Sequence, residues 1–515
     1  MQTRYTITTP IYYVNGAPHL GHAYTSIAAD VLARFKRLDG YEVLFVTGTD
    51  EHGQKVEKAA EEAGLAPQEF ADRVSAQFRA MGEALNISND DFVRTTDKRH
   101  LAACAAFWER LEAAGAIYLG AYEGWYAVRD EAFYGEDELI LADDGTRFAA
   151  ETRSPVEWVR EPSWFFRLSA FQERLIAFHE AHPEFIAPVA RRNELLRFLH
   201  GGLTDLSISR TSFRWGVPVP GAPGHVMYVW FDALINYLTA VGFPDADAPL
   251  AGFWPADLHL VGKEIARFHA IYWPAFLMAA EMALPRRVFS HGWWTVEGEK
   301  MSKSLGNGLD PIALVAAYGL DPLRYFVLRE VPFGGDGDFR HEAMIARLDR
   351  ELANDLGNLA QRTLSLVARN CGGLRPAVGA GDADDDGMRE AAGALVAGVR
   401  ACIERQALSE ALEQIWKLVR GANAFIDRQA PWALKKTDAV RMEAVLRCLL
   451  DVLRTIATLL TPFMPDSMGR MLDQLGVPAD ARTIAALAMP LADGVALPVP
   501  SGIFPRFATR EAVGV

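Results

Sequence analysis

"YTITTPIYYVNGAPHLGHAYTSIAADVLARFKRLDGYEVLFVTGTDEHG", Tyr5 to Gly53, decides the fold. "YTITT" alternates as a β-strand does. A turn at Asn15 and Gly16 leads into a segment where Tyr24, Ile27, Val31, Phe35 and Leu38 recur at helical spacing, and Gly40 stops it. "YEVLFV" is then an apolar strand running into a loop rich in Gly and Asp. Strand, helix and strand, with near-continuous apolar strands, predict an α/β fold built on a parallel sheet covered on both faces.

In an open parallel sheet, ligands bind outside the carboxyl ends of the strands. His19-Leu20-Gly21-His22 stands at such a place and opens the helix. Histidines three apart share one helix face. The helix start adds unpaired N–H groups and a positive dipole end, which favour an anion. Gly21 leaves the backbone bare for a phosphate or flat ring. These parts suit binding a nucleotide and stabilising charge that grows on its phosphates. Read alone, HxGH is equally two surface histidines at a helix start. Asp50, in the "GTDEHG" loop after the next strand, suits a cationic substrate group; Glu51 reads as ordinary loop polarity.

Far downstream stands "GEKMSKSLGN", Gly298 to Asn307. Lys300 and Lys303 suit phosphate oxygens as mobile point charges, and Ser302 and Ser304 add hydroxyl donors. Glu297 and Glu299 argue against a basic address tag. A GxxxxGK[ST] phosphate loop is absent from the sequence. Phosphate handling therefore falls to the histidine pair and the lysine loop together.

Composition limits the alternatives. The chain has 515 residues, 50% hydrophobic and 23% charged, enough for several domains and a large core. Its 52 Lys and Arg against 66 Asp and Glu give a net charge of −14, so contact with nucleic acid needs a small local basic face. No apolar run is long enough to cross a bilayer and the N-terminus reads as a strand, which predicts a cytoplasmic protein without a membrane partner. Cys104, Cys371, Cys402 and Cys448 lie far apart without metal or redox spacing and read as buried thiols. From Ile117 short strands, turns and aromatics replace the α/β pattern, as an insertion would, and the sheet pattern resumes near "HVMYVWFDALINYL". Beyond Glu342 the periodicity is helical, and "RPAVGAGDADDDGM" reads as a mobile loop between bundle helices.

The HxGH and KMSKS pair resembles the signature of class I aminoacyl-tRNA synthetases. "TPIYYVNGAPHLGH", "VTGTDEHGQK", "SISR", "YVWFDALINYL", "VGKEIARFHAIYWPA" and "HGWWTVEGEKMSKSLGN" closely resemble the methionyl-tRNA synthetase family, over nearly the whole chain. The resemblance implies a Rossmann-like catalytic domain with a connective insertion, followed by an all-α anticodon-binding bundle. The expected boundaries are 1–116 and 223–299 for the two catalytic halves and 117–222 for the insertion. The KMSKS loop with the stem-contact region takes 300–345, and the helical domain 346–515.

It also implies ATP and magnesium as cofactors, with L-methionine and tRNA(Met), including the initiator, as partners. His19 and His22 are then catalytic, together with Lys300 and Lys303. Gly21, Gly262, Glu264 and Ser302 join them in binding ATP. The methionine pocket carries over as Ile11, Tyr13, Asp50, Trp230, Ala233, Tyr237, Ile265, Phe268, His269 and Trp273, with Asp50 taking the ammonium. A polarisable thioether sits well against such aromatic edges. Asn370, Pro431 and Trp432 match anticodon-reading positions, where a tryptophan can stack on an unpaired base.

Two departures matter. Where relatives carry zinc-binding CxxC knuckles, this chain has Ala127 and Asp130, so a zinc-free knuckle held by Trp125, Tyr126 and Phe133 is expected. The insertion is too short for the editing domain of the valine, isoleucine or leucine enzymes. With no appended oligonucleotide-binding barrel, a monomer is expected. Rival readings are another class I synthetase, a catalytically idle tRNA-binding paralogue, and a small-molecule nucleotidyltransferase. The intact histidines and lysines oppose the second, and the long helical region opposes the third.

Overall fold

The computed structural model describes residues 3–130, 132–142, 144–300, 308–379 and 381–506. At its centre, strands Ile186–Ala187, Val288–His291, Leu258–Gly262, Arg4–Thr8 and Glu42–Asp50 lie side by side in that order, all parallel. Glu42–Asp50 also pairs in parallel with both Tyr12–Tyr13 and Asp91–Arg94. Alternate residues leave the strands on opposite faces. Phe45 joins the core under the Leu20–Leu38 helix, with Ile27, Val31 and Phe35, whereas Leu44 and Val46 pack with Ala240 and Val241. Burial on both faces is what the near-continuous apolar strands predict.

The first strand lies in the middle. The chain leaves it toward Glu42–Asp50, and its other neighbour, Leu258–Gly262, arrives only after the insertion. The strand order reverses there, so a crevice opens at the carboxyl ends of these two strands. The candidate residues named from the first half of the sheet stand at a strand end or follow one.

The insertion is built on a long antiparallel pair, Ile117–Ala127 with Glu157–Phe166, in register from Ile117↔Phe166 to Tyr126↔Glu157. At its tip the Asp130 carboxylate accepts hydrogen bonds from Tyr134 Oη at 2.9 Å, Ser154 Oγ at 2.8 Å and the Thr152 hydroxyl. Beside this knot Ala127, Ala149 and Val156 form a small apolar core with Trp125 and Tyr134 against it. The expectation of aromatics alone is therefore revised: a half-buried acid gathering three hydroxyls holds the knuckle, and Trp125 supports it. The side chain of Phe133 lies outside the described residues.

The C-terminal part is a bundle of Asn358–Asn370, Ala383–Glu404, Leu408–Gln429, Pro431–Thr437, Ala439–Leu460 and Pro465–Gln474. The predicted loop "RPAVGAGDADDDGM" is shorter than expected. Its acidic run is a helix start: Asp382 accepts from the N–H groups of Asp384 and Asp385, and acids suit the positive end of a helix. Asp385 is moreover buried against Arg441.

One arginine joins the layers. Arg324, fully buried in helix Leu320–Arg329, donates to Asp30 Oδ2 at 2.6 Å in the helix that begins at Leu20. It also donates to the carbonyls of Leu85 at 3.0 Å, Phe463 at 3.0 Å and Pro462 at 2.8 Å, the last two in the turn between bundle helices. Cys104, Cys402 and Cys448 are buried as predicted, but Cys371 is only half-buried.

Candidate active site

The helix Leu20–Leu38 begins with a reciprocal cap made of imidazoles. Gly21 N–H donates to His19 Nδ1 at 3.1 Å, and His19 N–H donates to His22 Nδ1 at 3.1 Å. Each ring thus accepts at Nδ1, which leaves the proton of the neutral imidazole on Nε2. Burial, and then the neighbouring His19, push the pKa of His22 well below the usual histidine value. The rings lie 3.9 Å apart, and Phe78 and Tyr12 brace His22 edge-on at 5.1 Å each. A Cβ on Gly21 would come within 2.9 Å of His19 Cε1, so glycine is needed here for the His19 ring itself.

The segment that follows the lysine loop meets this same point. Leu20 N–H donates to the carbonyl of Leu309 at 3.1 Å. On the other side of the loop, Glu299–Lys300 pairs with Trp294–Val296, and Gly298 takes a positive φ of 84° while its N–H reaches Asp338 Oδ1 at 2.8 Å. Ser302 and Lys303 lie outside the described residues, as does the side chain of Lys300.

At the end of strand Leu258–Gly262, a Cβ on Gly262 would meet Glu264 Oε1 at 2.4 Å. Glu264 Oε2 accepts from Trp293 Nε1 at 2.7 Å. Lys263 lies 4.1 Å over the Trp293 ring and bonds both oxygens of Asp336 at 2.9 and 2.8 Å. This frame around Glu264 combines residues from three distant segments; Gly262 and Glu264 were named from the sequence, and Lys263, Trp293 and Asp336 were not.

The aromatic wall comes from helix Val229–Ala240 and from a π-helical turn, Phe268–Tyr272, that runs into Trp273. A π turn shifts the side chains that follow it, and such turns frequently mark functional sites. Here Trp230 stacks on Phe268 at 3.9 Å and 12°. Tyr237 donates to His269 Nε2 at 2.7 Å, while His269 Nδ1–H donates to the Ile265 carbonyl at 3.0 Å. Trp273 is fully buried, 6.2 Å from Tyr237. Tyr13, opposite Asp50 in register, packs against the same core. Ile11 lies against Gly48, where a Cβ would meet its Cγ2 at 3.0 Å. Asp50 is buried at the strand end, and Ala233 is buried on the helix face.

The Asp50 loop is more structured than a polar turn. Glu51 is fully buried and accepts from Arg94 at 2.7 and 2.9 Å and from Thr49 and Thr96 hydroxyls at 2.6 and 2.5 Å. His52 Nδ1 bonds Asp232 Oδ2 at 3.0 Å. Trp215 Nε1–H donates to the Glu51 carbonyl at 2.6 Å and its own carbonyl accepts from Gly53 N–H at 3.0 Å. The ordinary-polarity reading of Glu51 is overturned: its partner Arg94 sits at the end of a neighbouring strand, which local sequence does not reveal.

Burial keeps several histidines neutral. It lowers His269 and His179 to about 4, and His100, with further help from His52 and Arg99, to about 3. These groups take up protons in the unfolded chain below its pKa of about 6.5 but not in the folded one. Their stability contribution is therefore full above pH ~6.5 and is lost as pH falls toward about 4. Each loses roughly 2 kcal/mol by pH ~5. We expect the melting temperature to fall steadily between pH 7 and 5. Since His269 stays neutral above pH 6, KM for the pocket's ligand should be flat from pH 6 to 8, and both are read by scanning calorimetry and steady-state kinetics.

In the helical bundle, Asn370 is half-buried at the end of its helix. Pro431 opens a short helix after Ala430, which adopts φ 44°, and Trp432 stands 47% exposed with Arg362 at 5.4 Å over its ring. Arg362 lies on the helix that ends at Asn370, about two turns before that end, so the structure brings Trp432 against this helix but does not place it beside Asn370.

A parallel sheet whose first crossover helix starts on HxGH, tied to the end of a KMSKS loop, defines a class I aminoacyl-tRNA synthetase. The chain matches the model of class I tRNA synthetases (M) over residues 5–142 and 148–364, and that of the anticodon binding domain of methionyl tRNA ligase over 376–513. It is 53% identical to the methionine–tRNA ligase of Brucella suis, covering 99% of both chains, and 52% identical to that of Mycobacterium leprae, covering 99% of this chain and 96% of that one. Mycobacterium tuberculosis methionyl-tRNA synthetase in complex with methionyl-adenylate superposes with a TM-score of 0.96 at 53% identity, covering 98% of this chain and 100% of that one. The free form of that enzyme gives a TM-score of 0.90 at 49% identity over 98% and 99%. The chain belongs to the methionyl-tRNA synthetase family.

Proposed function

We propose that the chain activates L-methionine with ATP to methionyl-adenylate, releasing pyrophosphate, and then transfers methionine to the 3′-terminal adenosine of tRNA(Met), releasing AMP. The end-to-end likeness to the adenylate-bound synthetase carries this reading. The methionine carboxylate is already a nucleophile, so no proton transfer precedes its attack on the α-phosphorus. Rate then comes from positioning and from stabilising charge.

In this reading Asp50 takes the ammonium. Trp230, Tyr237, Ile265, Phe268, His269 and Trp273, with Ile11, Tyr13 and Ala233, enclose the thioether. Neutral His269 suits an uncharged sulfur. Gly262 and Glu264 take the ribose side of ATP, and Gly21 admits the His19 ring beside the phosphates. His19 and His22 donate from Nε2–H as the bond to pyrophosphate breaks. Lys300, Ser302 and Lys303 meet the triphosphate of ATP and hold the departing pyrophosphate.

Among the described residues no three His, Cys, Asp or Glu side chains are placed to hold a metal. Magnesium, which keeps most of its waters and rides on phosphates, would enter with ATP. At the knuckle, hydroxyls around one carboxylate are a poor donor set for zinc, which favours thiolate and imidazole. Protein purified without a tag should therefore hold far less than one zinc per chain by elemental analysis; a stoichiometric content contradicts the knot.

We further propose a cytoplasmic monomer that charges initiator tRNA among its substrates. No single helix among the described residues is long and apolar enough to cross a membrane. Trp432, with Asn370 and Pro431, is the proposed anticodon reader. Trp432→Ala should lower methionyl-tRNA formation about tenfold or more, a stacked base being worth ~1–3 kcal/mol. Pyrophosphate exchange without tRNA should be unchanged. Equal losses in charging and exchange would assign Trp432 to packing.

A further inference from the structure

We propose that His52 and Asp232 are positioning residues that set the gap between the ammonium-binding loop and the aromatic wall, and with it the side-chain length the pocket accepts. The inference rests on the methionine-pocket reading above. Asp50 lies two residues before His52, and Asp232 stands between Trp230 and Ala233 on the wall helix. The single hydrogen bond from His52 Nδ1–H to Asp232 Oδ2, at 3.0 Å, therefore ties the loop that carries Asp50 to the helix that carries Trp230 and Ala233.

Both ends are held. The side chains are 5% and 0% exposed. The His52 ring meets Trp215 edge-on at 5.6 Å, and Trp215 is itself bonded to the backbone on both sides of His52. Behind Asp232, Cys104 Sγ lies 4.0 Å from its carbonyl and 3.2 Å from His100 Nε2, and His100 Nδ1 meets Thr239 Oγ1 at 2.9 Å. The wall helix is thus backed by the Lys98–Ala113 helix and strapped to the Asp50 loop by His52.

The pair is a poor device for stability alone. Asp232 Oδ1 is buried without a hydrogen-bond partner among the described residues. A half-satisfied buried carboxylate carries a desolvation cost that a well-packed apolar residue avoids. What the pair does supply is a fixed span. Substrate length is read between the ammonium anchor and the aromatic wall, and one methylene in such a pocket changes selection by about 10–200-fold.

The test is amino-acid-dependent ATP–pyrophosphate exchange by the full chain, with methionine and with ethionine, which is one methylene longer. Asp232→Ala and His52→Ala should each raise KM for methionine about tenfold, with kcat and KM for ATP changed by less than about twofold. The preference for methionine over ethionine should fall about tenfold. The double variant should be no worse than either single one, because one interaction is lost in all three. Asp232→Asn keeps an acceptor for His52 and should stay within about threefold of the parent. If Asp232→Ala is insoluble, His52→Ala decides. The inference is overturned if the alanine variants keep the methionine preference, if KM for ATP rises in step with that for methionine, or if Asp232→Asn behaves like Asp232→Ala. Failure of the unaltered chain to exchange with methionine would instead overturn the functional reading.

Discussion

His22→Ala should lower the turnover of methionine-dependent pyrophosphate exchange by about 100–1,000-fold, the usual cost of removing one preorganised donor from developing charge. The expectation follows from the cap. The Nδ1 atoms of His19 and His22 are held by backbone N–H groups, so both protons sit at Nε2 at the positive end of the helix. The depressed pKa of His22 keeps it a neutral donor at physiological pH. Methionine affinity, measured by equilibrium binding without ATP, should change by less than about threefold, since no pocket residue is touched. A large loss of methionine binding with near-normal turnover would place His22 in the amino-acid pocket instead. Because Phe78 and Tyr12 brace the ring, the alanine variant leaves a cavity. His22→Gln fills more of it while still lacking the fixed donor, and should be nearly as slow.

Arg324→Met should destabilise the protein by about 3–5 kcal/mol, the range for removing one partner of a buried ion pair. It strips donors from the carbonyls of Leu85, Pro462 and Phe463 and leaves Asp30 with Arg34 and Ser88 alone. Arg324→Lys should rescue little, because one ammonium cannot reproduce a forked guanidinium. The pH dependence carries its own sign. Burial raises the pKa of Asp30, but Arg324, Arg34 and the Ser88 hydrogen bonds outweigh it and hold it below the usual value. This lowered pKa contributes stability above pH ~4 that is lost as acid protonates the folded carboxylate. In Arg324→Met burial should prevail, so the deficit should be largest at neutral pH and shrink toward pH ~4. Thermal melts across that range read it. A loss under ~1 kcal/mol at pH 7 would show that Arg324 does not join the histidine helix to the bundle.

How much was legible follows from the range of each interaction. The histidine helix and the strand that ends on Asp50 rest on local periodicity and on chemistry within a few residues. Trp230 and Tyr237 lie on one helix, and their partners Phe268 and His269 come from another segment. Other features depend on pairings across the fold. Glu51 is paired by Arg94, Glu264 is framed by Trp293, and Arg324 is bonded to three distant segments. The π turn at Phe268–Tyr272 differs from an ordinary helix only in hydrogen-bond register, which composition does not mark. At the knuckle, absence of cysteine was plain, but the hydroxyls that gather on Asp130 come from both sides of a folded tip. The acidic run at Asp382 could have been read correctly: three acids after a capping aspartate are a helix start.

The central claim is that this site forms methionyl-adenylate. ATP–pyrophosphate exchange, with each of the standard amino acids offered separately and no tRNA present, tests it most directly. The account predicts strong exchange with methionine and little with any other amino acid. Exchange that does not depend on methionine, or exchange equally well supported by another amino acid, would contradict it.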